Sequence, residues 1–479
     1  MRPYVRLCLT PPLKNSFLLP TRLIGPLVQM GSKTVGSVKQ TGWLRKARRL
    51  TEQFKNEPQT LANATSEHKM GESSETKQAE EQNAIAEEEK QVPQYRSIVL
   101  NTYGGSKHLR VESSDVKQAK ENEIEVSVEA CGVNFLDVML RQGLIEQLVK
   151  PPFAMGSECA GIVTAVGEAV TEYKVGDRVV VLLETGAWSE RLVIPIKEDV
   201  SKPDETKPTI TELMRNVILP WPTALSASQA AILPFAYLPA YLLLHHIACV
   251  RTGDIILVHS AGGGVGTAIG QLAKLIPNVK LIGTASKTKH EQIASMYETL
   301  FTPDQDWSAE IKKLYPQGIN VILDCLSGEE FGRSYTLLKP LGKYILYGMS
   351  NLVTGDRKNF LNLAKQWFQM ERVSPLRLHE ENRILGGFSL KQLLFSRAQG
   401  TPGSTSPNVA VDLVREAWNE LTRLVNSKSI VPLVDSEWSF EEVKDAMMRL
   451  QERKNVGKVV LLPKATPKEP ESADTQKAT

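Results

Sequence analysis

At 479 residues the chain is longer than one hydrophobic core supports, so two domains with extensions are expected. Its 57 Lys and Arg against 54 Asp and Glu leave a formal charge of +3, which gives no electrostatic ground for nucleic-acid binding. Cys8, Cys131, Cys159, Cys249 and Cys325 are odd in number and widely scattered, which argues against a disulfide framework. No apolar run reaches the ~20 residues of a spanning helix, so any membrane association is expected to be peripheral.

The chain opens on a basic leader. Arg2, Arg6, Lys14, Arg22, Lys33, Lys39, Arg45, Lys46, Arg48 and Arg49 precede the first acid, Glu52. Arginine, serine and threonine without acids have the composition of a mitochondrial transit peptide, and Phe17-Leu18-Leu19 is too short for a secretory apolar segment. The alternative is a basic tail on a protein that is cytoplasmic or peripheral on organelle membranes. From 51 to 91 the composition turns polar and acidic, ending in Glu87-Glu88-Glu89. Too few apolar residues remain there to offset the entropy of ordering, so 1–91 is expected to be a disordered extension.

Ordered patterning begins near Tyr95 with Ser97-Ile98-Val99-Leu100 and continues with the alternating Glu123-Ile124-Glu125-Val126-Ser127-Val128. Further short runs, 161–167 and 176–182, are punctuated by glycine. Such strands predict a small β-rich, barrel-like domain over 92–218. A polar stretch, 197–216, stands as an insertion just before the domain crossover.

From 219 to 395 helical patterns alternate with apolar strands at 255–259, 279–284, 321–324 and 343–347. That alternation predicts a doubly wound parallel sheet, making the chain an α/β protein. The first of these strands, Ile255-Ile256-Leu257-Val258-His259, runs into Ser260-Ala261-Gly262-Gly263-Gly264-Val265-Gly266 and then into a helical pattern. Strand, glycine turn and helix N-terminus in this order suit a dinucleotide pyrophosphate, with Ala261, Gly263 and Gly266 at the fingerprint positions. Ala261, Gly262, Gly263, Gly264, Val265 and Gly266 are therefore candidate coenzyme contacts. About twenty residues on, the ribose-reading position reads Thr284-Ala285-Ser286-Lys287-Thr288-Lys289-His290, without an acid. A carboxylate there would repel a 2′-phosphate, whereas Ser286, Lys287 and Lys289 favour one, so NADP(H) is expected over NAD(H).

The segment 396–463 carries an amphipathic helix over 411–426 and a final strand over 457–462, expected to rejoin and complete the first domain. The Lys/Pro/Glu-rich end, 464–479, reads as a disordered tail. No internal repeat is visible.

Together these features resemble the medium-chain dehydrogenase/reductase superfamily. Ala130-Cys131-Gly132-Val133-Asn134-Phe135-Leu136-Asp137-Val138-Met139-Leu140-Arg141-Gln142-Gly143 is similar to the pattern of its quinone oxidoreductase (zeta-crystallin-like) family. Tyr347-Gly348-Met349-Ser350-Asn351-Leu352-Val353-Thr354-Gly355 and Lys454-Asn455-Val456-Gly457-Lys458-Val459 resemble the synaptic vesicle membrane (vesicle amine transport) protein branch. Trp367 and the Gly387-Phe388 pair fit that branch too. The resemblance implies a GroES-like catalytic domain beside a Rossmann domain, with Gly348 among the coenzyme contacts, and subunits commonly paired as homodimers.

It also implies a comparison with zinc-dependent members. In register with their ligands stand Asn134, Ser157 and Phe235, with Leu136 at the hydroxyl of the proton relay. An amide, an alcohol and a phenyl ring make no zinc site, and the four-cysteine structural lobe is missing, so no metal is expected. Asp137 and Glu158, retained beside those positions, are expected to be structural. Without a metal to polarise an alcohol, the resemblance implies hydride transfer from NADPH to a quinone or an α,β-unsaturated carbonyl. Asn134 and Tyr237 are then the candidate catalytic residues, the first beside the substrate carbonyl and the second lining the cleft. Pro239 stands where relatives carry a hydroxyl that touches the nicotinamide. Lys339 and Lys458 are set aside as exposed lysines, and the adjacent His245 and His246 as core or surface residues. The alternative function is an NADPH-binding, membrane- or organelle-associated interaction protein with vestigial catalysis.

Overall fold

The computed structural model describes residues 93–145, 150–196, 217–369, 373–395 and 407–465. The expectations for the leader, the linker, the 197–216 insertion and all but the first residues of the tail lie outside the described residues, as does the Trp367 side chain.

The β-rich domain is organised around one long strand, Glu123–Val133. Its first half pairs antiparallel with Arg191–Pro195 and its last residues with Lys458–Leu462, where Val459 faces Val133 and Leu461 faces Cys131. The chain's end thus joins this sheet. On the other edge follow Glu158–Val166, Arg178–Leu182 and Val217–Pro220, and Val434–Ser439 lies parallel outside Lys458–Leu462. A smaller antiparallel sheet joins Leu109–Asp115, Gln94–Leu100 and Phe153–Ala154. Val126, Val128, Trp188 and Phe440 fill the core between them.

The second domain is the doubly wound sheet expected from the alternating pattern. Its strands lie in the order Thr299–Phe301, Lys280–Thr284, Ile255–Val258, Ile319–Asp324, Leu338–Leu346, Ile384–Gly387, all parallel. Numbered along the chain this is 3-2-1-4-5-6, the Rossmann order, with its topological switch between Ile255–Val258 and its neighbours. Both faces are covered, which is why the strands read as unbroken apolar runs. Ile256, Val258, Leu281, Val321 and Leu323 pack against helices Ala227–Leu242 and Gly264–Ala273. Leu257, Ile282, Ile322 and Tyr344 point the other way, toward Trp307 and Ile311 of helix Trp307–Leu314 and Phe331 of helix Glu329–Tyr335.

Helix Ala227–Leu242 crosses between the domains and packs with residues of both sheets, including Ala130, Val460, Ile256 and Val258. It starts at Ser226, whose Oγ accepts from Gln229 N at 3.3 Å while Gln229 Oε1 accepts from Ser226 N at 3.2 Å. Burial on all sides explains a correction to the sequence reading. Ala227–Ile247 is long and apolar enough, at mean hydropathy 1.4, to cross a membrane by length and composition, yet 72% of its apolar window is buried within the protein. His245 and His246, in the last turn, are exposed. Residues Val414, Ala417, Trp418 and Leu421 of helix Pro407–Asn426 extend the same core.

Candidate functional site

A cleft of about 720 Å³ lies at the switch point, where ligands of open α/β sheets bind. Its floor is the turn after Ile255–Val258. Ser260 takes a left-handed conformation (φ 55°), Gly263 N donates to Ser260 O at 2.9 Å, and helix Gly264–Ala273 begins at once. Gly263 caps that helix with no side chain, so its first-turn N–H groups remain for a ligand. A Cβ on Gly266 would sit 2.5 Å from Ser260 O, so only glycine lets the turn close. Ala261 replaces the usual first glycine because its methyl packs over Gly283 on the neighbouring strand, 2.7 Å from where a Cβ there would stand. Gly262, Gly263, Gly264, Val265 and Gly266 line the cleft, whereas Ala261 is buried behind it.

The three residues expected at the ribose end separate. Ser286 lines the cleft. Lys287 is exposed and faces a smaller hollow shared with His290 and Asp304. Lys289 is buried, its stem crossing Gly262 and its Nζ donating to Asn455 O at 2.6 Å. Burial lowers its pKa to about 8, with Asp435 opposing and Arg453 and Arg449 adding to the effect. Gly348 lines the same cleft, next to Cys325.

Across from the turn, Asn134 heads helix Phe135–Arg141, its N–H donating to Asp137 Oδ2 at 2.8 Å. Burial pushes the Asp137 carboxyl up to about 7, against that hydrogen bond and the Lys458 charge. The Asn134 side chain is held at both ends. Nδ2 donates to Glu158 Oε1 at 2.9 Å, and Oδ1 accepts from Lys458 Nζ at 2.5 Å. Lys458 Nζ also donates to Glu158 Oε1 at 2.7 Å and Val133 O at 3.0 Å, so three acceptors meet its three donors. Glu158 Oε2 accepts from Phe235 N at 2.8 Å, tying the network to the crossover helix. Lys458, set aside in the sequence as an exposed lysine, is therefore 5% exposed and central to the site. A Cβ on Gly264 would meet its Cδ at 2.6 Å, so the coenzyme turn itself makes room for it.

The structure does not bring Tyr237 to the cleft. Its ring is 1% exposed and its hydroxyl donates to Val431 O at 3.1 Å; burial raises its pKa. The reason is helical phase. Phe235 and Pro239, four apart, share the face that lines the cleft, and the residue between them points away. Ser157, the second position in register with metal ligands, donates to Glu184 O at 3.4 Å. Among the described residues no group of three or more His, Cys, Asp or Glu is placed to hold a metal ion.

Residues 120–203 match the alcohol dehydrogenase GroES-like domain, and 298–461 match the zinc-binding dehydrogenase family. The chain is 42% identical over 372 residues to the synaptic vesicle membrane protein VAT-1 homolog-like of Mus musculus, spanning 78% of this chain and 82% of that one. It belongs to the VAT-1 family of medium-chain dehydrogenases/reductases. The crystal structure of a human VAT-1 homolog-like protein superposes with TM-score 0.62 and 36% identity, covering 78% of this chain and 99% of that one. The Escherichia coli quinone oxidoreductase complexed with NADPH superposes with TM-score 0.61 and 25% identity, covering 77% and 100%. The resemblance drawn from the 130–143, 347–355 and 454–459 motifs is thereby confirmed, and this VAT-1 family member shares an oxidoreductase fold.

Proposed function

We propose that this protein is a zinc-independent reductase that moves hydride from NADPH to a quinone or an α,β-unsaturated carbonyl. The observation that carries the reading is the buried Asn134–Lys458–Glu158 network opposite the glycine turn. In zinc-dependent members a metal ligand would stand at Asn134; here its amide oxygen is occupied by an ammonium 2.5 Å away, which opposes a divalent cation at short range. With Ser157 and Phe235 at the other two positions, the donor set does not fit zinc.

NADPH fits the turn. Gly263, Gly264, Val265 and Gly266 would take its pyrophosphate, Ser286 and Lys289, which line the same cleft, its 2′-phosphate, and Gly348 would flank it. When bound, it would supply the two electrons as hydride. The chain's own part is positioning and polarity. Asn134 keeps one N–H after bonding Glu158, and with no other acceptor for it among the described residues that donor would serve an acceptor oxygen as it gains negative charge. Lys458 and Glu158 fix the amide so that this N–H needs no reorganisation. Phe235, Leu136 and Leu390 keep the surrounding wall apolar and strengthen that hydrogen bond. The reduced acceptor then takes its proton from solvent. Stopped-flow mixing of NADPH-loaded protein with a panel of quinones and enones tests the reading: oxidation of NADPH by at least one acceptor is expected, and none across the panel refutes it.

A second reading is favoured by Pro239, which presents no hydroxyl to the cleft, and by the vesicle-membrane names of the relatives. There, NADPH binding would serve a membrane- or organelle-associated interaction, with catalysis vestigial. Tight NADPH binding without turnover, together with liposome binding lost on removing 1–91, would favour it. The basic leader further supports a mitochondrial address. A reporter fused to 1–55 should enter mitochondria, and diffuse cytosolic signal would contradict this. The edge strand Ile384–Gly387, with Ile384 and Leu385 exposed, supports a homodimer joined through the nucleotide domains.

A further inference from the structure

We propose that Lys391 forms an anion subsite on the acceptor wall of the cleft, selecting substrates that carry a carboxylate; the inference rests on the reductase reading of the same cleft. Three lysines of the cleft wall are more than nine-tenths buried: Lys289, Lys391 and Lys458. Two of them have partners. Lys458 has three acceptors and Lys289 has Asn455 O. Lys391 is 6% exposed, and its Nζ makes no hydrogen bond among the described residues.

Among the described residues no counter-ion stands at bonding distance from it. Glu184 and Asp137 act on it only through their fields; Asp137 accepts the Asn134 N–H at Oδ2, and its buried Oδ1, without a hydrogen-bond partner, is not within bonding distance of the Lys391 ammonium. Burial lowers the Lys391 pKa, and those two acids oppose the shift. An ammonium enclosed without acceptors is unfavourable, and its flexible four-carbon stem lets it turn toward an anion that enters the cleft. Leu136, Phe235, Pro239 and Leu390, which line the same cleft, are apolar and themselves offer an anion no donor or charge. A single ammonium with three free N–H groups matches a monoanion such as a carboxylate better than a dianionic phosphate, which needs several donors. Low local polarity makes that pair stronger than it would be in water.

The test uses full-length protein, with and without saturating NADP⁺, titrated calorimetrically with cyclohexanecarboxylate and its neutral match, cyclohexanecarboxamide. Wild type is expected to prefer the carboxylate by about tenfold, as a charge-assisted hydrogen bond implies. Lys391→Met should abolish the preference and Lys391→Arg should retain it, with NADPH affinity and thermal melting reporting that each variant is folded. Equal affinity for both ligands in wild type, or an unchanged preference in Lys391→Met, overturns the proposal. A Lys391-dependent preference in a protein that reduces no quinone or enone would uphold the subsite and refute the reductase reading. Reduction of neutral enones without any carboxylate preference would do the reverse.

Discussion

At the scale of single residues, the site depends on which polar groups have spent their bonding capacity. Asn134 was legible in the sequence because its position follows Gly132-Val133 in a recognisable motif. Lys458 was not, since a lone lysine in a terminal strand looks solvated. Its partner Glu158 lies 300 positions away, and only the pairing of both Lys458–Leu462 and Glu158–Val166 with Glu123–Val133 brings them together. Replacing Lys458 by Met leaves Glu158 buried without its cation, and should cost about 3–5 kcal/mol in urea denaturation. Asn134→Ala removes the proposed donor to the developing oxyanion; kcat should fall on the order of a hundredfold while NADPH affinity holds. Lys289 adds a pH signature. Its folded pKa of about 8 lies below the ordinary 10.5, so the unfolded chain binds more protons between those values and this group's penalty on folding fades as pH rises through them. For binding the sign is opposite. As the ammonium is lost above that pKa, the preference for NADPH over NADH should shrink between about pH 7 and about pH 9, measured as a ratio of Kd values. A ratio that stays constant would remove Lys289 from phosphate recognition.

At the scale of elements, strands with unbroken apolar runs were readable, because burial on both faces leaves nothing else for their side chains to be. Thr299–Phe301 and Ile384–Gly387 were missed for the complementary reason: they are short, lie at the sheet edges and keep part of their surface exposed. The glycine turn was read correctly as a strand-to-helix junction, and the structure adds why alanine is tolerated at Ala261: Gly283 yields the space. Tyr237 shows the limit of reading a motif without its phase, since one position along helix Ala227–Leu242 turns a side chain by about 100°. Gly266→Ala should force its Cβ onto Ser260 O and weaken NADPH binding by tenfold or more, on the order of the overpacking cost of about 1–3 kcal/mol. Fluorescence titration reads this directly, and unchanged affinity would mean the turn is not the pyrophosphate site.

At the scale of the whole molecule, the fold class was legible because the two domains differ in period, short glycine-punctuated strands giving way to alternating helices and strands. The union of the domains was less so. The segment Ala227–Ile247 is membrane-grade by length and composition, and only its contacts with both sheets show where that apolar surface goes. Ile384→Lys places a charge on the exposed edge strand; if the proposed homodimer forms through that edge, light scattering should read monomers for this variant and dimers for wild type, without loss of melting temperature. The proposed reductase sets a coenzyme-gripping turn against a site that holds an ammonium where a metal would stand. It is tested most directly by treating full-length protein with chelator, titrating it in parallel with NADPH and NADH, and then mixing it with a benzoquinone. NADPH is expected to bind more tightly than NADH, and the quinone to be reduced at the same rate before and after chelation. Failure to bind NADPH, or activity that disappears with chelator and returns only with zinc, would contradict it.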